Sequence, residues 1–194
     1  MRIAVRCLPV VLLLTCLAAA QASRKSDTQK PSFVTVLNNS LSGPEKEFVD
    51  AADAMPEDKY NFAPTEGDFK GVRTFGEQVR HVAAANYLIA AAILGEAKPP
   101  VDTAGESGPE SMTSKADIMN YLKESFVYMH KAFATLTSEE KALAMTKSPF
   151  GPNQVPKLGL AIMEPGHCFD HYGQMVEYLR MNGIIPPASR PRQR

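Results

Sequence analysis

Cysteine is nearly missing from the part of this sequence able to fold. Of the three cysteines in the 194 residues, Cys7 and Cys16 fall in an N-terminal apolar stretch, which leaves Cys168 alone. A lone thiol cannot close an internal disulfide, so the fold must stand on packing. Charge of one sign is missing too: the formal net charge is zero and no Lys/Arg stripe stands out, which excludes nucleic acid as a partner. The basic tail Arg190-Pro191-Arg192-Gln193-Arg194 is short and broken by proline. Period-two alternation in β-branched runs is nearly absent, which argues against sandwiches and barrels. No nucleophile elbow, P-loop or Rossmann glycine pattern occurs.

What is present begins with a leader. Arg2 and Arg6 precede an apolar run from Leu8 to Ala20, and Ala20-Gln21-Ala22 forms a small-x-small site before Ser23. Positive start, apolar middle and small-residue site in that order make a secretory signal peptide. The run of 13 residues is shorter than the roughly 20 needed to span a bilayer. The expectation is therefore an exported protein, periplasmic or secreted, with no stable membrane span after cleavage. Residues 1–22 are read as the signal peptide and 23–32 as a polar flexible leader. Residues 33–189 form one domain, and 190–194 a flexible tail. A homodimer is compatible with this organisation.

Four segments carry helical patterning. In the first, Phe33, Val34, Val36, Leu37 and Leu41 share one face and Phe48, Val49, Ala52 and Met55 another, with Ser42-Gly43-Pro44 between them. Ser42 can cap a helix whose first position is Pro44, so this helix either starts near Pro44 or is kinked there. The second opens on Thr74-Phe75-Gly76-Glu77, a capping box, and continues through Val79, Val82, Leu88, Ile89 and Ile93 among alanines to Gly95. The third starts at Thr113 or Ser114, with a core stripe Ile118, Leu122, Phe126, Met129, Phe133 and Leu136. A short helix from Thr137 to about Met145 follows. The fourth runs from about Pro156 to Met181, with Pro165-Gly166 expected to bend or restart it, and stops at Gly183. This predicts an all-α four-helix bundle, with a long crossover connection between the second and third helices.

Three of the four histidines fall where a metal site needs them. His167 and His171 are four apart, which on a helix sets their Cβ atoms roughly 5–6 Å apart on one face. Continuing that face gives Gln174, Met175 and Tyr178. His81 lies above Ala85, Leu88 and Ala92 on an apolar face, among small residues that leave room for an ion. Neutral imidazole is the commonest metal ligand, and three histidines from two helices leave coordination positions open. His130 falls beside its helix's core stripe and reads as an ordinary boundary residue. Glu77, Glu164 and Asp170 are the carboxylates close enough to accept the second N–H of a ligating histidine. Glu77 is also accounted for by its capping box. Cys168, one residue after His167, points about 100° away from it and is not expected to be a ligand.

Three stretches also resemble the DinB-like superfamily. They are Ala54-Met55-Pro56-Glu57-Asp58-Lys59-Tyr60-Asn61-Phe62-Ala63-Pro64-Thr65, Arg73-Thr74-Phe75-Gly76-Glu77-Gln78-Val79-Arg80-His81, and His167-Cys168-Phe169-Asp170-His171-Tyr172-Gly173-Gln174. The last is similar to the family's H-x-x-x-H-x-G-Q motif. The resemblance spans about Phe48 to Ser189. It implies a four-helix bundle with a three-histidine divalent metal site on His81, His167 and His171, for which nickel, zinc and iron are the attributed metals. Some relatives are transferases or isomerases that use a low-molecular-weight thiol such as bacillithiol or mycothiol.

Two function classes follow. One is a metal-dependent transferase or hydrolase acting on a small molecule the sequence does not name. The other is a non-catalytic bundle that binds metal or a small ligand. A third reading keeps the histidines as core polar groups only.

Overall fold

The computed structural model describes residues 30–191. The signal peptide, most of the leader and the last three residues of the tail lie outside them. From Ser32 onward the chain forms one compact unit. Its helices are α1 (Phe33–Ala54), α2 (Phe75–Leu94), α3 (Lys115–Phe133), the short α4 (Glu139–Leu143) and α5 (Lys157–Met181).

The first helix does not restart at Pro44. It runs unbroken from an N-cap at Ser32, whose hydroxyl accepts from the Thr35 N–H at 3.1 Å. Pro44 lies inside it and is buried with Leu37, Leu41 and Phe48. Proline removes one helical hydrogen bond, but here its ring adds to the apolar face that packs on the bundle. Ser42 caps nothing and instead donates to the Asn38 carbonyl at 2.8 Å. Helix α1 has no basic residue in its last turn, and its terminal carbonyls are met from outside. Lys115 donates to Asp53 O at 2.6 Å and Met55 O at 2.9 Å.

The capping box of α2 forms as its sequence requires. Thr74 N–H donates to Glu77 Oε2 at 2.7 Å, and Glu77 N–H donates to Thr74 Oγ1 at 3.3 Å. The neighbouring N–H groups of Phe75 and Gly76 donate to Phe62 O and Tyr60 O. Gly76 permits that approach, since a Cβ there would stand 3.1 Å from the Tyr60 ring and 3.2 Å from its carbonyl. Helix α2 is buried almost all round, and Ala83, Ala84, Ala85, Ala90 and Ala91 keep its neighbours close.

The four long helices pack in a ring, α1 against α5, α5 against α2, α2 against α3 and α3 against α1. Helices α2 and α3 run parallel: Gly76 lies by Ile118, Asn86 bonds Ser125, and Glu96 bonds Tyr128. Helices α2 and α5 run antiparallel, with Tyr178 bonded to Arg73 and His167 to His81. The parallel pair explains the long crossover. After α2 the chain must return the length of that helix before α3 can begin. The long crossover expected between the second and third helices is present, and it runs back alongside the bundle. Arg80 holds it by donating to Pro109 O at 2.6 Å, and Gly108, at φ +71°, sits directly against the Arg80 backbone.

One element was not expected. The short helix α4 ends at Leu143, not about Met145, because Met145–Lys147 pairs antiparallel with Gln154–Pro156. Strands of three residues are too short to show alternation in a sequence. Thr146 ties this hairpin to the last turn of α2 by donating to Ala92 O at 2.7 Å.

Candidate metal centre

Helices α2 and α5 meet at the level of His81, His167 and His171. A nitrogen of each lies within 4.8 Å of the other two, and the ring centroids are 4.6–5.2 Å apart. His81 and His171 are buried, while the His167 side chain keeps 22% of its surface in solvent. The proline inside α5 does not displace the pair, because the helix continues through Pro165 and the i, i+4 spacing is preserved.

The second nitrogen of each buried ring has a hydrogen-bond partner. His81 Nδ1 lies 2.5 Å from the carbonyl oxygen of Glu106, which can only accept. The His81 proton is therefore on Nδ1 and the Nε2 lone pair is free. His171 Nδ1 lies 2.6 Å from Gln78 Oε1. That amide is oriented in turn: Gln78 Nε2 donates to Gln174 Oε1 at 2.8 Å, and Gln174 Nε2 donates to Asp170 Oδ2 at 3.3 Å. A carboxylate with no proton to give fixes both amides, so His171 also presents a bare Nε2.

His167 completes the argument. Its Nε2 lies 3.2 Å from His81 Nε2. Its Nδ1 faces Glu164 Oε2 at 3.6 Å, and these two buried atoms have no hydrogen-bond partner among the described residues. If His167 carries its proton on Nε2, it can donate to His81, but its Nδ1 and the buried Glu164 Oε2 stay without a partner. If the proton is on Nδ1, it faces Glu164, and the bare Nε2 atoms then repel unless a cation lies between them. An ion between the three rings would meet all of these lone pairs, and the donor set fits a divalent metal held by three imidazoles.

The electrostatics point the same way. Burial, followed by the neighbouring His167, His81 and Arg73, depresses the His171 imidazole to about 3. Burial lowers His81 as well, partly opposed by its bond to the Glu106 carbonyl. Both rings are thus kept in the neutral form that a metal needs.

Of the three carboxylates singled out in the sequence, Glu164 faces His167 at 3.6 Å and Asp170 stands at the end of the two-amide chain. Glu77 only caps α2. Cys168 is fully buried and donates to Glu164 Oε1 at 3.0 Å, and burial followed by that carboxylate pushes its thiol well up. His130 is elsewhere, on the α1–α3 seam, with Nε2 2.8 Å from Glu45 Oε2 and Nδ1 bonded to Asn38. Gln78 was missed by the sequence reading. Its signal was present: an amide three residues before His81, one turn away on the same helix. The Glu106 carbonyl carried no signal, since any residue supplies one.

The chain is thus a small up-down-down-up helical bundle with three histidines converging between two antiparallel helices, where they could hold a metal ion. Within it, the sequence profile of the DinB superfamily matches residues 42–175, and the chain belongs to that superfamily. The crystal structure of a DinB-like protein from Bacillus cereus ATCC 10987 is similar, with a TM-score of 0.61 and 16% identity, over 78% of this chain and 93% of that one. A mycothiol-dependent maleylpyruvate isomerase is also similar, with a TM-score of 0.56 and 16% identity. That match covers 73% of this chain but 60% of the isomerase. No curated protein matches the chain.

Proposed function

We propose that this chain is an exported metalloprotein that uses a divalent ion on His81, His167 and His171 to act on a small molecule. The carrying observation is that both buried histidines offer a bare Nε2 to the point where His167 faces them, with each Nδ1 tied to a structural acceptor. Three ligands leave coordination positions free for water or substrate, which is the arrangement of catalytic sites. A bound ion would supply Lewis acidity, lowering the pKa of a water or thiol or polarising a substrate oxygen. The protein's own part is to hold three neutral rings in place and to balance charge with Glu164. Three imidazoles suit zinc, nickel and iron alike.

A transferase or hydrolase is the activity class this supports. The structurally similar isomerase depends on mycothiol, so a thiol is the co-substrate to try first. Export is part of the proposal and rests on Arg2, Arg6, the Leu8–Ala20 run and Ala20-Gln21-Ala22.

The test is elemental analysis of untagged protein purified from its native compartment, with His81→Ala, His167→Ala, His171→Ala and His130→Ala beside it. Stoichiometric metal, lost in the first three and kept in the fourth, supports the reading. Metal-free protein, or equal loss in His130→Ala, overturns it. Turnover of an electrophile with added thiol separates an enzyme from a binding module.

A further inference from the structure

Of the three histidines, His167 alone reaches solvent, so the way to the proposed ion passes this ring. A cleft of about 490 Å³ opens there, within the size range of small-molecule sites. Its lining comes from four parts of the fold: Ile89 on α2, Glu106 on the crossover, Phe150 on the hairpin turn, and Met163, His167 and Asp170 on α5. Phe150 and Met163 keep about two-fifths of their surface exposed, whereas nearby Ile89 is buried. Large side chains left uncovered beside a polar centre are the pattern of a ligand wall. The hairpin turn that carries Phe150 is stiffened by the Ser148 N–H bond to Asn153 O and the Phe150 N–H bond to Ser148 Oγ.

The charges of the cleft are one-sided. Glu106 and Asp170 line it, and among the described residues no lysine or arginine does. A carboxylated or phosphorylated body lying here would meet two acids and no base. An apolar body, neutral or positively charged, would meet apolar walls and complementary charge.

We propose that this cleft selects the substrate, and that the substrate is an apolar or aromatic molecule, neutral or cationic in its body, whose metal-binding head group reaches past His167. Phe150 and Met163 are the specificity-determining walls. The inference rests on the metal reading above.

The experiment uses full-length protein loaded with zinc and a hydroxamate series, titrated calorimetrically. Acetohydroxamate reports the metal alone, and a phenylalkyl hydroxamate adds the apolar body. The same compound with a para-aminomethyl or para-carboxylate group adds charge. The phenylalkyl compound should bind at least about tenfold tighter than acetohydroxamate, from the apolar area removed from water. The ammonium form should exceed the carboxylate form by about tenfold, since like charges are penalised. In Phe150→Ala the phenylalkyl-to-acetohydroxamate affinity ratio should fall about tenfold. In Ile162→Ala, an exposed position outside the cleft, it should not change. Zinc uptake with a flat series, or a preference for the carboxylate, refutes the cleft proposal and leaves the metal site standing. If the protein takes up no zinc, the metal reading fails and this proposal falls with it.

Discussion

Asp170 orients His171, its neighbour in sequence, without touching it. The carboxylate accepts from Gln174 Nε2, Gln174 Oε1 accepts from Gln78 Nε2, and Gln78 Oε1 accepts from the His171 Nδ1–H. Adjacent helical residues point about 100° apart, so the signal leaves α5, crosses to α2 and returns. Gln78→Leu keeps the volume and removes both links. It should weaken metal binding by about tenfold in a chelator competition, because outer-shell partners set ligand orientation. Unchanged affinity would show that packing alone orients His171.

Glu164 is predicted to be worth more than its distance suggests. Cys168 Sγ–H donates to one of its oxygens, and with a metal on His167 Nε2 the Nδ1–H would face the other at 3.6 Å, so a glutamine there would point its NH₂ at one of these two donors. Glu164→Gln should lower metal affinity by about 10–100-fold. Cys168→Ala leaves the carboxylate in place and should keep metal content near that of the parent. A Cys168→Ala loss as large as that of a histidine variant would mean the ligand set is wrong.

The crossover supplies the carbonyl that fixes His81, so its placement matters to the site. A Cβ on Gly108 would lie 2.9 Å from Arg80 Cβ and 3.0 Å from Arg80 O, at a backbone φ of +71°. Gly108→Ala should cost about 1–3 kcal/mol of stability through strain. It should also reduce metal affinity, with helical circular dichroism retained. A stable variant with normal metal affinity would uncouple the loop from His81.

Acid should destabilise the metal-free protein earlier than its carboxylates alone would require. His171 titrates near 3 in the folded state, below its ordinary value, and His81 is shifted the same way. Between about 3 and about 6.5 the unfolded chain therefore binds protons that the folded chain refuses, so stability rises with pH across that window and levels off above it. Urea midpoints of chelator-treated protein should climb from pH 5 to pH 7 and then flatten, and His171→Ala should reduce the climb. A midpoint that falls with pH over that range would contradict the assigned burial.

The proposed export makes a simple prediction about the chain end. Ala20-Gln21-Ala22 precedes Ser23, so N-terminal sequencing of exported protein should begin at Ser23. A start at Met1, or a lipid on Cys16, would sink the signal-peptide reading.

Sequence alone determined most of the helices and the His167–His171 pair, since both are written at short range. The Thr74–Glu77 box, the apolar stripes and the i, i+4 pair depend only on residues within a turn or two of each other. Where local rules failed, the tertiary structure had overridden them. Pro44 could begin a helix, but burying its ring against the bundle kept α1 continuous. Met145–Lys147 became a strand only because Gln154–Pro156 lay opposite. Only the folded bundle decided that α2 and α3 run parallel, and hence that the crossover returns along α2. That return sets Glu106 against His81 and, with Phe150 from the hairpin, builds the cleft beside His167. Such contacts join residues dozens of positions apart through backbone carbonyls and exposed side chains, and neither leaves a periodic trace in a sequence.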